Sequence, residues 1–593
     1  MVIDRLKALR QAMAEQNVSA VIIPTSDFHD TEYVCEYYQA RVEFSGFTGS
    51  AGTLVVLTDK AALWTDGRYF IQAARELEGS GIELMRTGQP GVPSIEEWIA
   101  DNLKPDQTAA VDGRCISENE CRKYKEYLGR FGIHFRTDTD FPDLVWTDRP
   151  AMPHATTFPY PEEFSGESTT SKLNRVREKM EEAGADNFIT TKIDDIGWLL
   201  NFRAGDIPSF PCALSYFILT KDGGTLYIDD TRLDDVTRWT LEDNHITVAP
   251  YNSVYADAAA LEGKTLVDPS LTNALIVESL KNPVLGTDPI TLMKAVKNPV
   301  EMEGFRRAHI KDGIAVTEFM YWLKNNIGKE TITETSAADV LQSLRKEQPD
   351  YLEDSFTTIA AYGPNAAMPH YHPDREHPVV LKPEGLFLVD SGGHYLDGTT
   401  DITRTFVLGD LTEEERRLFT RVLQGQIRLA MARFPYGARG MNLDILARGP
   451  LWLEGLDYNH GTGHGVGAVT NVHEAPNGFR WKVVPERNDS AILEEGMITS
   501  NEPGIYLQDK FGIRHENLML CRKAFSTEYG DFMEHETLTL VPFDLDGIDA
   551  SIMQPEEIEW LNNYHQRVYD VLSPCLKQDE KEWLKHATRK LTV

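Results

Sequence analysis

The stretch GLFLVDSGGHYLDGTTDITRTFVLG, residues 385–409, contains two apolar runs joined by a glycine-rich segment. Asp390 ends the first run, and Asp401 opens the second run 11 residues later. Glycines permit a tight reversal of the chain, so a β-hairpin would bring the two carboxylates together. Because side chains alternate along a strand, Thr403 shares a face with Asp401. The spacing leaves a second interpretation open, since aspartate beside glycine is also a common turn residue.

A second glycine-rich segment is NHGTGHGVGAVTNVHEAP, residues 459–476. It contains His460, His464 and His473, which are three of the 16 histidines within 14 residues. Residues four apart in an extended chain share a face, so His460 and His464 can enter one cleft. The glycines let the backbone approach whatever the rings contact. One such histidine alone is more often a hydrogen-bonded core residue, but the cluster favours a functional site.

Two glutamates accompany strand-like runs further along the chain. Glu502 follows MITSN (497–501), and Glu516 lies inside the apolar run GIRHENLML (512–520). A carboxylate in such a run is costly to bury unless it is paired or bound to a metal. The alternative for Glu516 is an edge strand on which it faces solvent. His370, in the turn-rich AAMPHYHPDREH, indicates nothing when taken alone.

The periodicity of the C-terminal half predicts helices that pack on a mostly antiparallel sheet. Apolar residues recur every three or four positions after Pro299 and again in EEERRLFTRVLQGQIRLAMARF, which predicts two long helices. Strand-like runs lie between and after them, at 386–390, 401–408, 497–501, 512–520 and 537–543. This half is therefore predicted to be an α+β domain.

An internal repeat lies on either side of a proline-rich linker, residues 149–173. RLKALRQAMAEQNVSAVIIPTSD begins at Arg5, and KLNRVREKMEEAGADNFITTKID begins at Lys172. Each copy predicts an amphipathic helix, a turn and an apolar strand, at 20–23 and 187–190. Further along, WTDGRYF in the first copy corresponds to YIDDTRL in the second.

The 593 residues exceed what one hydrophobic core organises. Together with the repeat, this length predicts three domains: a first α/β domain at 1–150, a second at 165–295 and the α+β domain at 296–593.

Composition narrows the possible functions. The formal net charge of −33 makes the protein a poor general binder of nucleic acid or of anionic membranes. Six scattered cysteines without a CxxC pair are typical of reduced thiols in the cytoplasm. The N-terminus reads as an amphipathic helix rather than a signal peptide, and no run of about 18 apolar residues predicts a membrane span. We therefore expect a cytoplasmic protein.

The ordered set Asp390, Asp401, His464, Glu502 and Glu516 resembles the metal ligands of the pita-bread metallopeptidases, which include methionine aminopeptidase, prolidase and aminopeptidase P. The nearest resemblance is to the long, cytosolic Xaa-Pro aminopeptidases. They share segments similar to FSGFTGSAGT, WTDGRYF, HGTGHGVG, NEPGIY and GIRHENL. The resemblance covers nearly the whole chain. It implies two creatinase-like N-terminal domains before a pita-bread catalytic domain.

The resemblance also implies roles for individual residues. Asp390 would bind one metal, Asp401 and Glu516 would bridge two, and His464 and Glu502 would complete the second. Glu502 would handle the proton of a bridging water. The remaining site residues of the cleft would be His370 and His473, which line the substrate side, and His460 and Arg514. Arg514 precedes Glu516 by two positions, so strand alternation puts both on one face, where Arg514 would orient Glu516 or a neighbouring carboxylate.

Amide hydrolysis with two divalent ions uses a bridging hydroxide as nucleophile. Oxygen-rich coordination favours manganese, although one imidazole leaves zinc or cobalt possible. Four carboxylates offset the charge of two such ions, and without metal they would repel one another and take up protons.

The resemblance implies peptide substrates with proline at the second position and a homodimer. Prolidase, which cleaves only dipeptides, is the alternative within the fold. A non-catalytic binding module of the histone-chaperone type and a metal-free creatinase-like hydrolase are less favoured, because all five ligands are present. The sequence departs from the family in the loop RWKVVPERNDSAILEE (480–495), which is longer than expected. This loop would lie near the site and affect access to it.

Overall fold

The computed structural model describes residues 2–484 and 489–592. The chain divides into two compact units. The first consists of Met1–Pro161 with Glu167–Ile290, and the second consists of Glu162–Gly166 with Thr291–Val593. Each unit has its own sheets and is described separately.

The first unit contains two six-stranded sheets. The strands of the first sheet are β1 (Ala20–Pro24), β2 (Thr53–Leu57), β3 (Ala61–Thr65), β4 (Ile82–Arg86), β5 (Thr108–Val111) and β6 (His134–Arg136). The remaining strands of the unit are β7 (Phe158–Pro159), β8 (Asn187–Thr190), β9 (Phe202–Arg203), β10 (Tyr216–Thr220), β11 (Gly224–Tyr227), β12 (Ile246–Ala249), β13 (Thr265–Val267) and β14 (Pro283–Leu285).

The two sheets have the same topology. The order is β4-β3-β2-β1-β5-β6 in the first and β12-β11-β10-β8-β13-β14 in the second. In both, the first three strands of the copy pair antiparallel and the outer strands are added in parallel. WTDGRYF and YIDDTRL each begin at the end of the third strand of their sheet, so the predicted duplication is confirmed.

Helices cover these sheets, and the predicted apolar stripes are buried. Leu6, Leu9 and Met13 face the core from the first helix of copy one, and Leu173, Val176 and Met180 do so in copy two. The helices of the first unit are α1 (Val2–Glu15), α2 (Ala40–Ser45), α3 (Phe70–Glu76), α4 (Ile95–Asn102), α5 (Glu118–Gly129), α7 (Thr169–Glu182), α8 (Ile193–Leu199), α9 (Asp235–Asp243), α10 (Val254–Ala260) and α11 (Ala274–Ser279). Helix α6 (Glu162–Ser165) and most of α12 (Pro289–Ala295) belong to the second unit.

The second unit is α+β, as predicted, and its strand ladders are antiparallel throughout the described residues. Its helices are α13 (Pro299–Asn326), α14 (Glu334–Lys346), α15 (Glu413–Ala430), α16 (Gly440–Trp452), α17 (Pro555–Leu572) and α18 (Gln578–Ala587). Asn298 caps α13 in a capping box with Glu301, and Pro299 occupies the first turn, which explains why this long helix begins there.

In the described residues, fourteen strands form the sheets of the second unit. They are β15 (Tyr351–Asp354), β16 (Ile359–Tyr362), β17 (Leu386–Ser391), β18 (Gly393–Tyr395), β19 (Gly398–Thr399), β20 (Ile402–Val407), β21 (Arg433–Pro435), β22 (Gly463–Gly465), β23 (Glu474–Phe479), β24 (Ile498–Asn501), β25 (Gly504–Leu507), β26 (Phe511–Arg514), β27 (Asn517–Thr527) and β28 (Gly530–Thr537). The main apolar core packs α15 and α17 against the inner strands.

Two strand predictions in this unit are wrong. The run 512–520 is not one strand, because β26 ends at Arg514 and β27 starts at Asn517. The run 537–543 leaves the sheet after Thr537. The backbone amides of Val541 and Phe543 donate to side chains of α17 instead of a neighbouring strand, which satisfies them without a ladder.

None of the helices in the described residues combines the length and the apolar character that a membrane crossing requires. Each of the six cysteines is a free thiol.

Candidate metal centre and active site

Two neighbouring antiparallel strands position the first two predicted ligands. Asp390 lies near the end of β17, opposite Thr403 of β20, and Asp401 directly precedes β20. The residues between them form a separate hairpin, β18–β19, rather than the tight reversal that the glycines suggested. Both aspartates are almost buried, at 8% and 3% exposure. The ladder therefore holds two carboxylates at one end of the strand pair.

Glu516 occupies the two-residue break between β26 and β27. Its amide donates to the Thr403 carbonyl (3.0 Å), and the Thr403 hydroxyl donates to its carboxylate oxygen Oε2 (2.7 Å). The break in the strand thus turns Glu516 toward the aspartates. Thr403, which the alternation of β20 placed beside Asp401, holds it there.

His464 lies in β22 and faces two carboxylates. Its Nδ1 donates to the Gly465 carbonyl (2.9 Å). Its Nε2 lies 3.3 Å from Asp401 Oδ2 and 3.7 Å from Glu502 Oε1. Because a carbonyl only accepts, Nδ1 carries a proton, so Nε2 is the nitrogen that would offer its lone pair once the ring is neutral, as in metal-binding histidines.

Glu502 follows β24, and its amide donates to the Thr462 carbonyl (2.8 Å). Its Oε2 lies 3.7 Å from Nδ1 of His460. The side chains of Glu502 and His464 are 18% and 20% exposed, whereas that of Asp401 is 4% exposed. The recess therefore opens to solvent at Glu502 and His464, with Asp401 and Glu516 at its floor.

The concentration of carboxylates raises their affinity for protons. Burial and the charges of Asp401, Glu502 and Asp390 hold the pKa of Glu516 well above its usual range. Burial, opposed by His464 and Arg514, raises the pKa of Glu502 to about 7. Burial also raises the pKa of Asp390, although Arg514 opposes it.

The pKa of His464 responds to the same cluster. Burial lowers it, but the hydrogen bond and charge of Asp401, with the charge of Glu502, outweigh burial and raise it to about 9. Unneutralised charge of this kind is what bound cations would offset.

The arrangement fits a pair of divalent cations. Ligand atoms of Asp401, His464 and Glu516 all lie within 4.8 Å of one another. Oδ1 of Asp390 is buried and has no hydrogen-bond partner, which leaves it available to an ion. Four carboxylates and one imidazole match the ligand types and the charge of a two-metal site.

Arg514 links the ligands behind the recess. Its Nη2 donates to Oδ2 of Asp390 (2.6 Å) and to the Pro369 carbonyl (3.2 Å), while its Nε donates to the Thr403 hydroxyl (3.1 Å). The sequence suggested that it orients Glu516 or a neighbouring carboxylate. The structure gives it a direct contact to Asp390 and an indirect one to Glu516 through Thr403.

Both ring nitrogens of His460 have protein partners. Nδ1 donates to the Gly461 carbonyl (2.7 Å), and Nε2 accepts from the hydroxyl of Tyr506 (2.8 Å), which itself accepts from Arg514 (2.5 Å). Burial and the charge of Arg514 hold the pKa of His460 well below its usual range, so the ring is neutral. Sequence reasoning missed Tyr506; its position four residues after Glu502, on β25 beside β26, was the available signal.

The two remaining histidines lie in different segments of the chain. The His473 ring lies edge-on to that of His464, with centroids 4.3 Å apart. His370 follows Pro369, whose carbonyl accepts from Arg514, and the neighbouring Tyr371 hydroxyl donates to the buried Glu334 (2.8 Å).

The loop that departs from the family pattern, 480–495, is only partly described. Arg480 binds Asp489 (2.8 Å), and residues 485–488 lie outside the described residues. The expectation that this loop affects access to the site stays a prediction.

Family models match the chain in four segments. The model for metallopeptidase family M24 matches residues 303–523, and a C-terminal region of M24 peptidases matches 531–591. The creatinase/prolidase N-terminal domain matches twice, at 5–149 and 148–301.

Curated relatives match over nearly the full length. A probable Xaa-Pro aminopeptidase P of Fusarium vanettenii is 40% identical, covering 99% of this chain and 98% of the relative. Aminopeptidase P2 of Arabidopsis thaliana is 37% identical, covering 99% and 88%. The chain belongs to the M24 metallopeptidase family. Within this family it groups with the Xaa-Pro aminopeptidases.

Solved structures of M24 metallopeptidases agree with this assignment. The X-prolyl aminopeptidase of Caenorhabditis elegans, described as a cytosolic enzyme with a di-nuclear active site, matches with a TM-score of 0.95. That match has 34% identity over 100% of both chains. An Xaa-Pro dipeptidase of Bacillus anthracis covers 64% of this chain at 20% identity and a TM-score of 0.51, which shows a shared fold alone. The predicted creatinase-like and pita-bread architecture of this M24 metallopeptidase is confirmed.

Proposed function

We propose that this protein is a two-metal aminopeptidase that hydrolyses the peptide bond between an N-terminal residue and a proline at the second position. The observation that carries the proposal is a recess with four carboxylates and one imidazole, in a chain related over its full length to Xaa-Pro aminopeptidases. Prolidase is the less favoured alternative, because the dipeptidase of Bacillus anthracis covers only 64% of the chain.

The five proposed ligands would divide between the two ions. Asp390 would hold one ion, Asp401 and Glu516 would be shared by the two ions, and His464 and Glu502 would hold the second. Two divalent ions supply Lewis acidity, which lowers the pKa of a water and polarises the scissile carbonyl. The excess of oxygen ligands favours manganese over zinc or cobalt.

The other residues would manage protons and orientation. Glu502, a carboxylate at the partly exposed side of the recess, is suited to take the proton of the attacking water. His473 and His370 would position the peptide and donate to the developing oxyanion or to the leaving nitrogen. His460 and Arg514 would hold Glu502 and Asp390 in place.

Proline makes the leaving group unusual. The bond before proline is a tertiary amide, so a peptidase gains nothing from a hydrogen bond to an N–H at that position. The leaving nitrogen still requires a proton, which a histidine at the edge of the recess is suited to deliver.

The test is hydrolysis measured together with metal content, on chelated protein and on protein refilled with manganese, zinc or cobalt. We expect the chelated protein to be inactive and manganese to restore cleavage of Arg-Pro-Pro best. Cleavage of the dipeptide Ala-Pro alone would instead identify a prolidase. Activity that does not depend on metal would contradict the two-metal proposal.

We also propose a homodimer. An apolar patch is exposed at the end of α16 and the following loop, where Leu453 is 82% exposed and the rings of Trp452 and Trp481 have centroids 6.0 Å apart. Adjoining exposed apolar side chains are one mark of a protein–protein interface. Sedimentation of the wild type should give a dimer and Leu453→Glu a monomer, while Tyr529→Glu, at a site 84% exposed on the β27–β28 hairpin, should remain dimeric. A monomeric wild type would contradict the proposal.

Two further proposals concern location and organisation. Six free thiols and the description of the nematode relative as cytosolic support a cytoplasmic enzyme. Two separate sheets and the four matched segments support domains at 1–150, 165–295 and 296–593. Fractionation of cells and limited proteolysis at the linker test these two proposals.

A further inference from the structure

Arg448, in the last turn but one of α16, belongs to none of the motifs discussed above. Its side chain is 1% exposed, and each nitrogen of its guanidinium group donates a hydrogen bond within the protein. Nε donates to Asp444 (2.7 Å), Nη1 donates to Asp457 (2.6 Å) and to the Tyr458 carbonyl (2.8 Å), and Nη2 donates to the His460 carbonyl (2.6 Å). The guanidinium also lies 3.8 Å from the centroid of the Tyr458 ring. One side chain of α16 therefore forms hydrogen bonds along the loop 457–460.

The same side chain reaches Glu502 by a second route. The Asp444 oxygen that Arg448 leaves free accepts from the Thr462 hydroxyl (2.6 Å). The Thr462 carbonyl accepts from the amide of Glu502 (2.8 Å). Arg448 thus stands one contact from the His460 backbone and three contacts from the Glu502 backbone.

The contacts exceed what a structural ion pair needs. Asp444 lies four residues before Arg448 on the same helix and neutralises its charge without help from the loop. The remaining donors point to backbone carbonyls and to an aspartate of the loop, which only a planar, multi-donor guanidinium matches at once. A lysine would keep the charge but offers one nitrogen, which cannot reach the helix and the loop together.

We propose that Arg448 is a positioning residue of the aminopeptidase, which fixes the loop 457–462 so that His460 and the backbone of Glu502 stay aligned with the metal ligands. The proposal rests on the roles proposed above for His460 and Glu502. It adds a residue of α16 that touches neither substrate nor metal.

The main test is Arg448→Lys in the full-length protein, assayed at saturating manganese on a Xaa-Pro tripeptide. We expect kcat to fall by about 10–100-fold and KM to change by less than about threefold, because geometry is lost rather than substrate contacts. Manganese titration by calorimetry, which does not depend on catalytic activity, should show a Kd about tenfold higher. Wild-type values of both kcat and Kd would overturn the proposal.

A milder pair of variants covers the case in which Arg448→Lys fails to fold. Thr462→Val removes the hydroxyl that connects Asp444 to the Glu502 route, and Thr462→Ser keeps it. We expect about a tenfold lower kcat and a weaker manganese Kd for the valine variant, with rescue to within about twofold by serine. Equal behaviour of the two variants would overturn the proposal.

The control is Arg428→Met. Arg428 on α15 binds Glu557 (2.6 Å). Among the described residues this pair contacts no site residue, so the variant loses an arginine ion pair without loosening the loop. We expect wild-type kcat and manganese Kd. An equal loss in Arg428→Met would show general destabilisation and overturn the proposal. A wild type that fails to cleave Xaa-Pro tripeptides would instead count against the proposed function, while the manganese Kd would still test the role of Arg448.

Discussion

The carboxylates and the histidines of the recess are held in different ways. Asp390 and Asp401 sit at the end of the β17–β20 ladder, and Glu516 is fixed to the same strand pair through Thr403. His460 and His473 lie in the glycine-rich segment around the three-residue strand β22, and His370 lies in a loop after β16. Asp390, Asp401 and Glu516 therefore depend on the β17–β20 strand pair, whereas His370, His460 and His473 lie in loops outside it.

This difference separates two ways of losing activity. Substitution of a carboxylate at the strand end should remove the metal, because the ligands there would bind the same ions together. A change among the loop histidines should leave the metal bound and slow the reaction. The predictions below test that division.

Asp401→Ala tests the strand end most directly. We expect loss of bound manganese and a fall in activity of about 10⁴-fold or more, because a carboxylate between two ions cannot be replaced by a neighbour. Metal analysis and peptide hydrolysis check this outcome. Full peptidase activity in this variant would refute the ligand assignment.

His473→Ala tests the loop. We expect two bound metals and a turnover lower by roughly 10²–10⁴-fold, the range for a lost proton donor or oxyanion contact. The same metal analysis gives the contrast with Asp401→Ala. A metal-free His473→Ala protein would contradict the proposal that the loop histidines act in the reaction without holding the metal.

Thr403→Val tests how strongly the ladder holds Glu516. The variant keeps the shape of the side chain and removes the hydroxyl that donates to Glu516 and accepts from Arg514. We expect manganese affinity to weaken by about 10–100-fold, measured by calorimetry, with Thr403→Ser close to wild type. Equal affinities for both variants would show that the ladder alone fixes Glu516.

The raised pKa values predict how the stability of the metal-free protein depends on pH. Glu502 has a folded pKa of about 7 against an ordinary 4.5, and His464 about 9 against 6.5. A group with a raised folded pKa stabilises the fold fully below its unfolded pKa and loses that contribution as pH rises through the folded pKa. We therefore expect the contribution of the site to the free energy of unfolding to decline between about pH 4.5 and pH 9.

Thermal melting measures this decline. Relative to pH 5.5, the Tm of the chelated wild type at pH 8 should fall further than that of chelated Glu502→Gln, which lacks one of the titrating groups. Manganese should raise Tm more at pH 8 than at pH 5.5, because protons compete with the metal for the same ligands. A manganese effect that is larger in acid would contradict the assignment.

His377→Ala should have the smallest effect. His377 pairs with Asp374 on the exposed part of the His370 loop, where its side chain is 83% exposed. Surface pairs of this kind contribute little, so we expect kcat within about twofold of wild type. A large loss would mean that the exposed part of the loop also acts in the reaction.

The sequence predicted the site residues on strands better than the site residues on loops. Apolar runs ending at Asp390 and beginning near Asp401 indicated strands, and alternation placed Thr403 on the correct face. The hairpin β18–β19 between the aspartates was not predicted, because its pairing with β15 is a contact between distant segments. The strand through 512–520 was predicted from apolar character, which carries no signal for the break at Glu516.

The residues that contact His460 could not be predicted from the sequence, for a different reason. Tyr506 and Arg448 act on His460 across 46 and 12 residues of sequence, through a hydroxyl and a guanidinium that periodicity treats as ordinary polar positions. Hydrogen bonds between distant side chains leave no pattern in a single sequence. The roles of His370, His460 and His473 therefore stay predictions derived from the family resemblance.

The shared strand order of the two sheets in the first unit has a consequence for how the chain folds. A chain with two copies of one topology offers each strand a wrong partner from the other copy, and misassembly between repeats is a common failure of such proteins. The divergent strand sequences, such as AVIIP in β1 and NFIT in β8, reduce that risk. During synthesis the earlier copy emerges first and completes its sheet before the later one competes. On refolding from denaturant both copies are present from the start. We therefore expect a lower yield of native protein from refolding than from synthesis on the ribosome.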